Sequence, residues 1–310
     1  MLRKSNSVQQ TLTVPTSTKT PEPTATRKPE YYLGDTVLKN GYGLTAVSII
    51  DPYNTKVSYP RDTSKKLIGV NVVISNISGI PFDFLNTGSS VQINDIDGFV
   101  YPMFNLSDSM LWFLLSLHPG EKINRIFAFE VPLDFQPNIV TIPIRILGGF
   151  DSLTISGNLR NPPEGHVSLS LINGQTTSRN LPSIGTPVSG FDSSITVLDY
   201  NPSAQPTYYI NSVGSKYVAV QIEVENVSSA DTLEASNSRV YLIDNEGFIY
   251  QSTHDIAGGL KNTSLLAGGK TKGWVIFMVP KNVNPIGIKY KLYHPLAFVS
   301  DDYLFAGLSQ

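Results

Sequence analysis

Two stretches of the sequence repeat one alternating pattern: KKLIGVNVVISN at Lys65–Asn76 and SKYVAVQIEVEN at Ser215–Asn226. In both stretches every second residue is apolar and favours strands, whereas the residues between them are mostly small or polar. The alternating apolar residues are Ile68, Val70, Val72 and Ile74 in the first stretch and Val218, Val220, Ile222 and Val224 in the second. A period of two predicts a β-strand with one buried face. The sequence therefore predicts the same buried strand twice.

The segments that follow these two stretches also repeat, and in the same order. Acidic turns that end in Gly stand at residues 95–98 and 244–247, between strand-like runs. Each turn predicts a hairpin, because Gly accepts the positive φ that closes it. Further along, Pro119-Gly120 corresponds to Gly268-Gly269. Order, turn type and an offset of about 150 residues are kept together, which indicates a tandem repeat of one β domain.

The spacing of strands and turns predicts an all-β fold. Each copy has roughly seven short strands, with turn signals about every 8–12 residues and almost no helical periodicity. Alternating burial favours an antiparallel sandwich, with a barrel as the alternative. We therefore expect two tandem immunoglobulin-like antiparallel β-sandwiches, at residues 32–158 and 184–310. Residues 159–183 are predicted to be a linker with a small hairpin, and the Thr/Pro-rich residues 1–31 a disordered spacer.

Composition excludes several classes of function. The net charge is −2 and only 15% of residues are charged, so no overall field attracts nucleic acid or an acidic membrane. The absence of cysteine excludes disulfides, thiolate metal sites and cysteine nucleophiles. The longest apolar run, residues 110–117, is shorter than the roughly 18 residues of a membrane span. The first residues lack the apolar region of an export signal, so we expect membrane contact only through an anchor not present in this chain.

Several short motifs recur in an order typical of one family. They are GDTV at 34–37, the alternating strand that ends in Asn76-Ile77-Ser78, the acidic Gly-Phe hairpin, and PGEK at 119–122 before FAFEVP at 127–132. This order resembles a family of bacterial extracytoplasmic immunoglobulin-like domains of unknown function, related to a mycobacterial immunoprotective secreted antigen and sometimes filed under a telomeric repeat-binding name. The resemblance covers about residues 32–146 and again about 184–308, where Gly-Gly-Lys replaces Pro-Gly-Glu.

The resemblance implies an immunoglobulin-like sandwich that is secreted or anchored to the cell envelope. Members commonly follow a lipoprotein signal or membrane helix and a Thr/Pro-rich spacer, and this chain has the spacer without the signal. The family supplies no catalytic residues to carry over. Its telomeric label implies no DNA binding here, since neither copy shows a basic face.

The residues that usually carry chemistry do not form a recognisable motif. The four histidines, at positions 118, 166, 254 and 294, lack metal-ligand spacing such as His-x-x-x-His. Neither a Gly-x-Ser-x-Gly nucleophile turn nor a Gly-rich phosphate loop occurs. The acidic hairpins lack the distal Glu of a calcium loop and are predicted to be turns, although Asp255, Asp301 and Asp302 leave a calcium site open. The sequence therefore predicts no catalytic, cofactor-binding or metal-binding residue.

One apolar segment distinguishes the first copy from the second. MLWFLLSL at residues 110–117 stands where the second copy has a Gly-rich stretch through residues 258–260. Such a segment either plugs the open end of the sandwich or forms an exposed patch that docks a partner. The candidate patch is Met110, Leu111, Trp112 and Phe113, with Trp112 and Phe113 as the anchors.

Together these features favour a non-enzymatic binding or scaffold module of the bacterial cell envelope or exterior. Its expected partner is an unknown protein or cell-wall ligand, without nucleic acid and without a cofactor. An envelope enzyme whose active site is built from loops is the alternative. A nucleic-acid binder ranks third.

Overall fold

The computed structural model describes residues 31–54, 62–84, 91–104, 115–145, 152–168, 180–207, 214–229, 231–254, 256–292 and 303–309. The predicted spacer up to residue 30 and the predicted linker hairpin lie outside these residues. So do all four residues of the candidate patch, Met110, Leu111, Trp112 and Phe113. These predictions therefore stay predictions.

The described residues of the first copy contain ten strands, and we call this part of the chain copy 1. The strands are β1 Thr36–Lys39, β2 Tyr42–Ile50, β3 Lys65–Asn76, β4 Phe82–Phe84, β5 Gln92–Asp95, β6 Val100–Pro102, β7 Leu115–Leu117, β8 Lys122–Pro132, β9 Pro137–Arg145 and β10 Ser152–Asn158. The number exceeds the expected seven because several strands, such as β4 and β7, are only three residues long.

The described residues of the second copy also contain ten strands, and we call this part copy 2. The strands are β11 Val188–Gly190, β12 Ser193–Asn201, β13 Ser215–Asn226, β14 Leu233–Ala235, β15 Val240–Asp244, β16 Ile249–His254, β17 Thr263–Leu265, β18 Lys270–Pro280, β19 Pro285–Lys291 and β20 Tyr303–Gly307. A single 3-10 turn at Asn237–Arg239 is the only helical element among the described residues. The predicted all-β fold is confirmed.

The sheets of the two copies follow the same order of strands. Copy 1 has one sheet in the order β1-β2-β3-β8 and a second in the order β10-β9-β5-β6. In copy 2 the corresponding strands form a continuous eight-stranded sheet, β11-β12-β13-β18-β16-β15-β19-β20, because β16 pairs with both β15 and β18. All paired strands are antiparallel, and a register shift interrupts the pairing of β2 with β3 and of β12 with β13 at the same place. The duplication therefore extends to the irregularities of the strands.

Each copy encloses its own apolar core. The alternating residues Ile68, Val70, Val72 and Ile74 are buried together with side chains from β5 and β9 of the facing sheet, and Val218, Val220, Ile222 and Val224 are buried in the same way. Side chains from two sheets that share one core make a sandwich. The antiparallel β-sandwich predicted from the alternation is confirmed, and the immunoglobulin-like type remains an interpretation.

Buried polar residues repeat as faithfully as the apolar ones. The side-chain amide of Asn76 donates to the carbonyls of Ile80 and Leu117, and that of Asn226 donates to the carbonyls of Asp231 and Leu265. In each case the side-chain oxygen accepts a backbone N–H two residues later. A buried amide that is bonded on both sides fixes the loop after the core strand.

The two copies lie within one compact unit, Tyr31–Gln310. The core cluster of copy 1 also includes Tyr241, Ile243, Ile249 and Tyr303 of copy 2. Outward-facing residues of β15, β16 and β20 in copy 2 therefore pack on copy 1. The predicted domain limits at residues 32–158, 159–183 and 184–310 stay predictions.

Candidate functional site: two equivalent hairpins and the contact between the copies

The described end of the apolar segment at residues 110–117 is core. Ser116 and Leu117 in β7 are fully buried, and β7 pairs with β4. The backbone carbonyl of Ser116 accepts a hydrogen bond of 2.7 Å from Lys289 of copy 2. This part of the segment therefore belongs to the contact between the copies.

A buried ion pair lies at the centre of this contact. The Nζ atom of Lys289 in β19 is 2.6 Å from Oε2 of Glu121, which directly precedes β8, and both side chains have zero exposure. The ring of Tyr303 lies beneath the ammonium group, with 4.6 Å from Nζ to the ring centroid. Removing two charges from water is costly, and only close pairing with further hydrogen bonds repays that cost. The pair therefore fixes copy 2 against copy 1.

His118 completes the polar cluster around this pair. Its backbone N–H donates to Oε2 of Glu121 over 2.9 Å, and its ring Nδ1 lies 3.6 Å from the same oxygen. The His118 ring meets the rings of Tyr303 and Phe305 edge to face, with centroids 5.2 and 5.1 Å apart. An acid, an amine and an imidazole thus lie together. The Glu121 and Lys289 side chains are enclosed between strands. This cluster therefore contributes to the packing of the two copies against each other.

The second described histidine, His166, joins the start of copy 1 to the chain beyond β10. Its Nε2 lies 2.9 and 3.0 Å from the two carboxylate oxygens of Asp35, whose side chain is fully buried. The His166 ring also packs edge to face on Tyr32. This cluster holds two distant segments of the chain together.

Neither member of the buried ion pair has a charged counterpart in the other copy. Glu121 corresponds to Gly269, since they directly precede β8 and β18, so Gly120 matches Gly268 and the predicted match of Pro119-Gly120 with Gly268-Gly269 is wrong by one residue. Lys289 corresponds to Thr141, because Lys289 lies opposite Phe305 in β20 as Thr141 lies opposite Ser156 in β10. The replacement of Pro-Gly-Glu by Ala-Gly-Gly is visible in the sequence. Its consequence is not, because the partner of Glu121 lies 168 residues away.

The hairpin after β15 is part of the same contact. Oδ1 of Asp244 accepts the backbone N–H groups of Glu246 and Phe248, and Oδ2 accepts the hydroxyl of Tyr250. These bonds hold the tight turn in which Gly247 has φ of 86°. Burial raises the pKa of the Asp244 carboxyl above its usual value, although these hydrogen bonds oppose the shift. The turn is therefore rigid before it meets copy 1.

The tip of this hairpin docks on the first residue of β8. The backbone N–H of Lys122 donates to the carbonyl of Gly247 over 2.9 Å, and Lys122 forms a parallel bridge with Phe248. Nζ of Lys122 lies 5.6 Å from the centroid of the Phe248 ring, within range of a cation–π contact. Burial lowers the pKa of Lys122, and the nearby Glu246 and Asp244 carboxylates oppose that shift.

Copy 1 has the same hairpin in the same conformation. Oδ1 of Asp95 accepts the backbone N–H groups of Asp97 and Phe99, and Oδ2 accepts the hydroxyl of Tyr101. Gly98 has φ of 88°, matching Gly247. As in copy 2, the acidic residue that opens the turn is a structural hydrogen-bond acceptor.

The hairpin of copy 1 nevertheless remains exposed at its tip. Ile96, Phe99 and Val100 have exposed fractions of 55%, 66% and 51%, and we call these three residues the tip patch. A Cβ atom added at Gly98 would meet no atom within 4 Å. In copy 2 the counterpart of Val100, Ile249, is buried in the core cluster of copy 1. One rigid turn is therefore docked in copy 2 and open in copy 1.

The residues that the structure describes contain neither a metal-binding cluster nor a membrane-spanning helix. Among them, no three or more His, Cys, Asp or Glu side chains are arranged to hold a metal ion. In the same part of the chain, no helix has the length and apolar character of a membrane span.

Comparison with known proteins finds similarity to one family in the second half of the chain. The model of a domain of unknown function, DUF4352, matches residues 182–300. Residues 182–300 of the chain are thus similar to that family. No curated protein matches the chain.

Solved structures offer only distant similarity. The Bacillus subtilis protein ycdA, provisionally described as a lipoprotein, aligns over 39% of this chain and 38% of its own length, with 15% identity and a TM-score of 0.33. The B. subtilis yjhA protein aligns over 42% of this chain and its full length, also with 15% identity and a TM-score of 0.34. A Porphyromonas gingivalis W83 protein of unknown function aligns over 86% of this chain and 98% of its own length, with 10% identity and a TM-score of 0.18.

Proposed function

We propose that the chain is a non-enzymatic binding or scaffold module of the bacterial cell envelope or exterior, and that the tip patch is a binding surface of copy 1. The observation that carries this proposal is the pair of equivalent hairpins. The hairpin of copy 2 makes a contact between the two copies, whereas the same rigid turn in copy 1 exposes Ile96, Phe99 and Val100. Exposed apolar side chains on a rigid turn need little ordering on binding, which lowers the cost of association.

The polar clusters support a binding role in a different way. Lys289, Glu121 and Asp35 have fully buried side chains that bond to other parts of the chain. Asp95 and Asp244 accept hydrogen bonds within their own turns. These acids and this amine act in folding, and the tip patch offers apolar contact area.

Support for the envelope comes from the sequence. Residues 1–31 have the Thr/Pro-rich composition of a spacer that holds a domain away from an anchor. The motif order resembles an extracytoplasmic family. In cells that express the gene with its natural upstream sequence, protease added outside intact cells should degrade the protein and spare a cytoplasmic marker. Protection equal to that of the marker would contradict the proposed location.

Binding can be tested on isolated envelopes of the encoding bacterium. At about 1 µM, a concentration that detects affinities of about −8 kcal/mol, the wild-type chain should co-sediment saturably with envelopes. Phe99→Ser should reduce this retention about tenfold. Ile80→Ser is the matched control, because Ile80 is similarly exposed at 68% but lies in the loop after β3. Equal retention of all three proteins, or of none, would contradict a binding role for the tip patch.

A further inference from the structure

We propose that the tip patch of copy 1 docks on the start of β18 in a second copy of this chain, so that molecules join head to tail. This inference rests on the proposed function, since it names a partner for the same surface. It follows from the duplication, because the chain already contains one example of the contact. In that example the hairpin of copy 2 docks on the start of β8 in copy 1.

The hairpin of copy 1 retains the groups that make the contact in copy 2. Gly98 and Phe99 stand where Gly247 and Phe248 stand, and an identical Asp network holds both turns. Asp97 takes the place of Glu246, so the acidic residue that lies near Lys122 in copy 2 has an acidic counterpart in copy 1. The carbonyl, the ring and the charge are therefore all available in copy 1.

The start of β18 retains the groups that receive the contact. Lys270 begins β18 as Lys122 begins β8. Each Lys lies opposite the residue that precedes a buried Asn, which is Asn76 for Lys122 and Asn226 for Lys270. The backbone N–H of that Asn donates to the backbone carbonyl of the residue that precedes the Lys. In an antiparallel ladder this register is a non-hydrogen-bonded pair, so the N–H of each Lys points away from the core strand. The Lys270 amide therefore faces outward as the Lys122 amide does.

The receiving surface is accessible in copy 2. The Lys270 side chain is 51% exposed, and Leu266 in the preceding turn is 75% exposed and adds apolar area. Lys270 pairs with Glu225 at 2.9 Å and with Glu223 at 3.6 Å. Ion pairs at such exposed positions are worth at most about 1 kcal/mol. These ion pairs involve the Lys270 side chain, so its backbone N–H can donate to a carbonyl of the docking hairpin.

The two contacts run in the same direction along the assembly. Within a chain, copy 2 gives its hairpin to copy 1, and between chains copy 1 gives its hairpin to copy 2 of the next molecule. Such a contact joins two different surfaces, so it generates either a closed ring or an open row of molecules.

The contact between chains is weaker than the contact within a chain. The outward residues beside the tip patch are Gln92, Asn94, Thr141 and Ser156, where copy 2 has Tyr241, Ile243, Lys289 and Phe305. Only the hairpin end of the interface is therefore matched, which corresponds to a small, transient contact. Attachment of many molecules to one surface would favour it through effective concentration.

Two variants of the full chain separate the two sides of the contact. Phe99→Ser removes the ring from the hairpin. Lys270→Pro removes the receiving N–H at the first residue of a strand, a position that tolerates Pro when its N–H faces outward. If Lys270→Pro lowers the thermal midpoint, Lys270→Glu serves instead, because it repels Asp95 and Asp97 from an exposed position.

Sedimentation velocity from about 10 µM to about 1 mM, the range of weak association, provides the test. The wild-type sedimentation coefficient should rise with concentration, and each variant should remain monomeric. An equimolar mixture of the variants should form dimers and nothing larger, because only the tip patch of the Lys270 variant and the β18 of the Phe99 variant are intact. This outcome requires two different surfaces in one contact.

Three sedimentation results would overturn the inference. They are a wild-type monomer at every concentration, undiminished self-association of the Lys270 variants, and a mixture that stays monomeric. Phe99-dependent binding of monomers to vesicles of phosphatidylethanolamine and phosphatidylglycerol, without self-association, would assign the tip to lipid and also overturn it. Envelope retention without self-association would contradict this inference alone, whereas self-association without retention would contradict the proposed function alone.

Discussion

The outer faces of β5 and β15 occupy the same place in the two copies and have opposite chemistry. In β15 the inward residues Val240 and Leu242 alternate with Tyr241 and Ile243, which are buried against copy 1. In β5 the outward positions are Gln92 and Asn94, which are half-buried. A strand that is covered on both faces needs apolar residues throughout, whereas a half-covered strand alternates. The difference between the outward residues of β5 and β15 thus shows which of the two outer faces is covered.

The same comparison explains which residues are shared. Asn76 and Asn226, and likewise Asp95 and Asp244, serve loops within each sandwich and occur in both copies. Glu121 and Lys289 form the contact between the copies and occur once each, and Glu121 also accepts the backbone N–H of His118 within copy 1. Substitutions at shared positions that bond only within their own sandwich should therefore act equally in both copies, whereas substitutions at residues of the contact between the copies should act in one.

The largest effect is expected at the buried ion pair. Lys289→Met leaves the Glu121 carboxylate buried beside an apolar side chain, and breaking one partner of a buried pair costs about 3–5 kcal/mol. Urea denaturation of the full chain measures this loss. Thr141→Met, at the equivalent position of copy 1, is the matched control and should change the unfolding free energy by less than about 0.5 kcal/mol.

The double variant Glu121→Leu with Lys289→Met should recover most of that loss, since buried pairs are often replaceable by apolar residues of similar volume. The double-variant cycle measures the coupling between the two positions. Additive effects of the two substitutions would show that the pair does not hold the copies together.

A smaller and equal effect is expected at the two buried asparagines. Asn76→Ala and Asn226→Ala each remove the side-chain partner of one buried backbone carbonyl, that of Leu117 or Leu265, and of the backbone N–H two residues after the Asn. The second carbonyl, that of Ile80 or Asp231, keeps a hydrogen bond from the Ser78 or Ser228 hydroxyl. Leaving buried groups unsatisfied costs about 1–3 kcal/mol. Thermal and urea unfolding of both variants should give the same loss within about 0.5 kcal/mol. A loss at only one site would mean that the loops after β3 and β13 differ in structure.

The two hairpin phenylalanines should differ in spite of their identical turns. Phe248→Ala removes a ring packed under Lys122 and should cost about 1 kcal/mol, the sum of a cation–π contact and some apolar area. Phe99→Ala acts on a side chain that is 66% exposed and should leave the unfolding free energy of the dilute chain unchanged. Urea midpoints of both variants measure the contrast. Equal costs would contradict the difference between a docked and an open tip.

The smallest effect is a pH dependence at the docked hairpin. Burial raises the pKa of Asp244 in the folded protein above the ordinary 3.8, so the folded state keeps the proton to a higher pH than the unfolded chain. The stability of the wild-type chain relative to Asp244→Asn should therefore rise as the pH falls through the folded-state pKa toward 3.8. Urea midpoints of both proteins at pH 3.5 to about 7 measure it. A relative stability that falls on acidification would mean that the Asp244 hydrogen bonds outweigh burial.

The sequence predicts the framework because the framework depends on local pattern. Period-two alternation in Lys65–Asn76 and Ser215–Asn226 identified the core strands, and the Gly of each acidic turn identified the hairpins. The run VYLID in β15 departs from alternation and indicates cover on both faces. It does not indicate what provides the cover.

The contact between the copies cannot be predicted from the sequence, because the residues that form it are far apart along the chain. Glu121 and Lys289 are 168 residues apart, and neither stands in a motif that names the other. The tip patch cannot be predicted from the sequence for another reason. Phe99 and Phe248 follow the same Asp-containing turn, and only the tertiary arrangement decides which ring is covered. The apolar residues 110–113 are the larger sequence difference between the copies, and they stay a predicted patch.

Hydrogen exchange at two equivalent amides tests the central claim most directly. In dilute solution the Lys122 amide, which donates to Gly247, should be protected, and the Lys270 amide should exchange rapidly. As the concentration rises into the range of self-association, the Lys270 amide should become protected in the wild-type chain and not in Phe99→Ser. Two results would contradict one docked and one open hairpin: equal protection of both amides in dilute solution, or a Lys270 amide whose protection does not change with protein concentration.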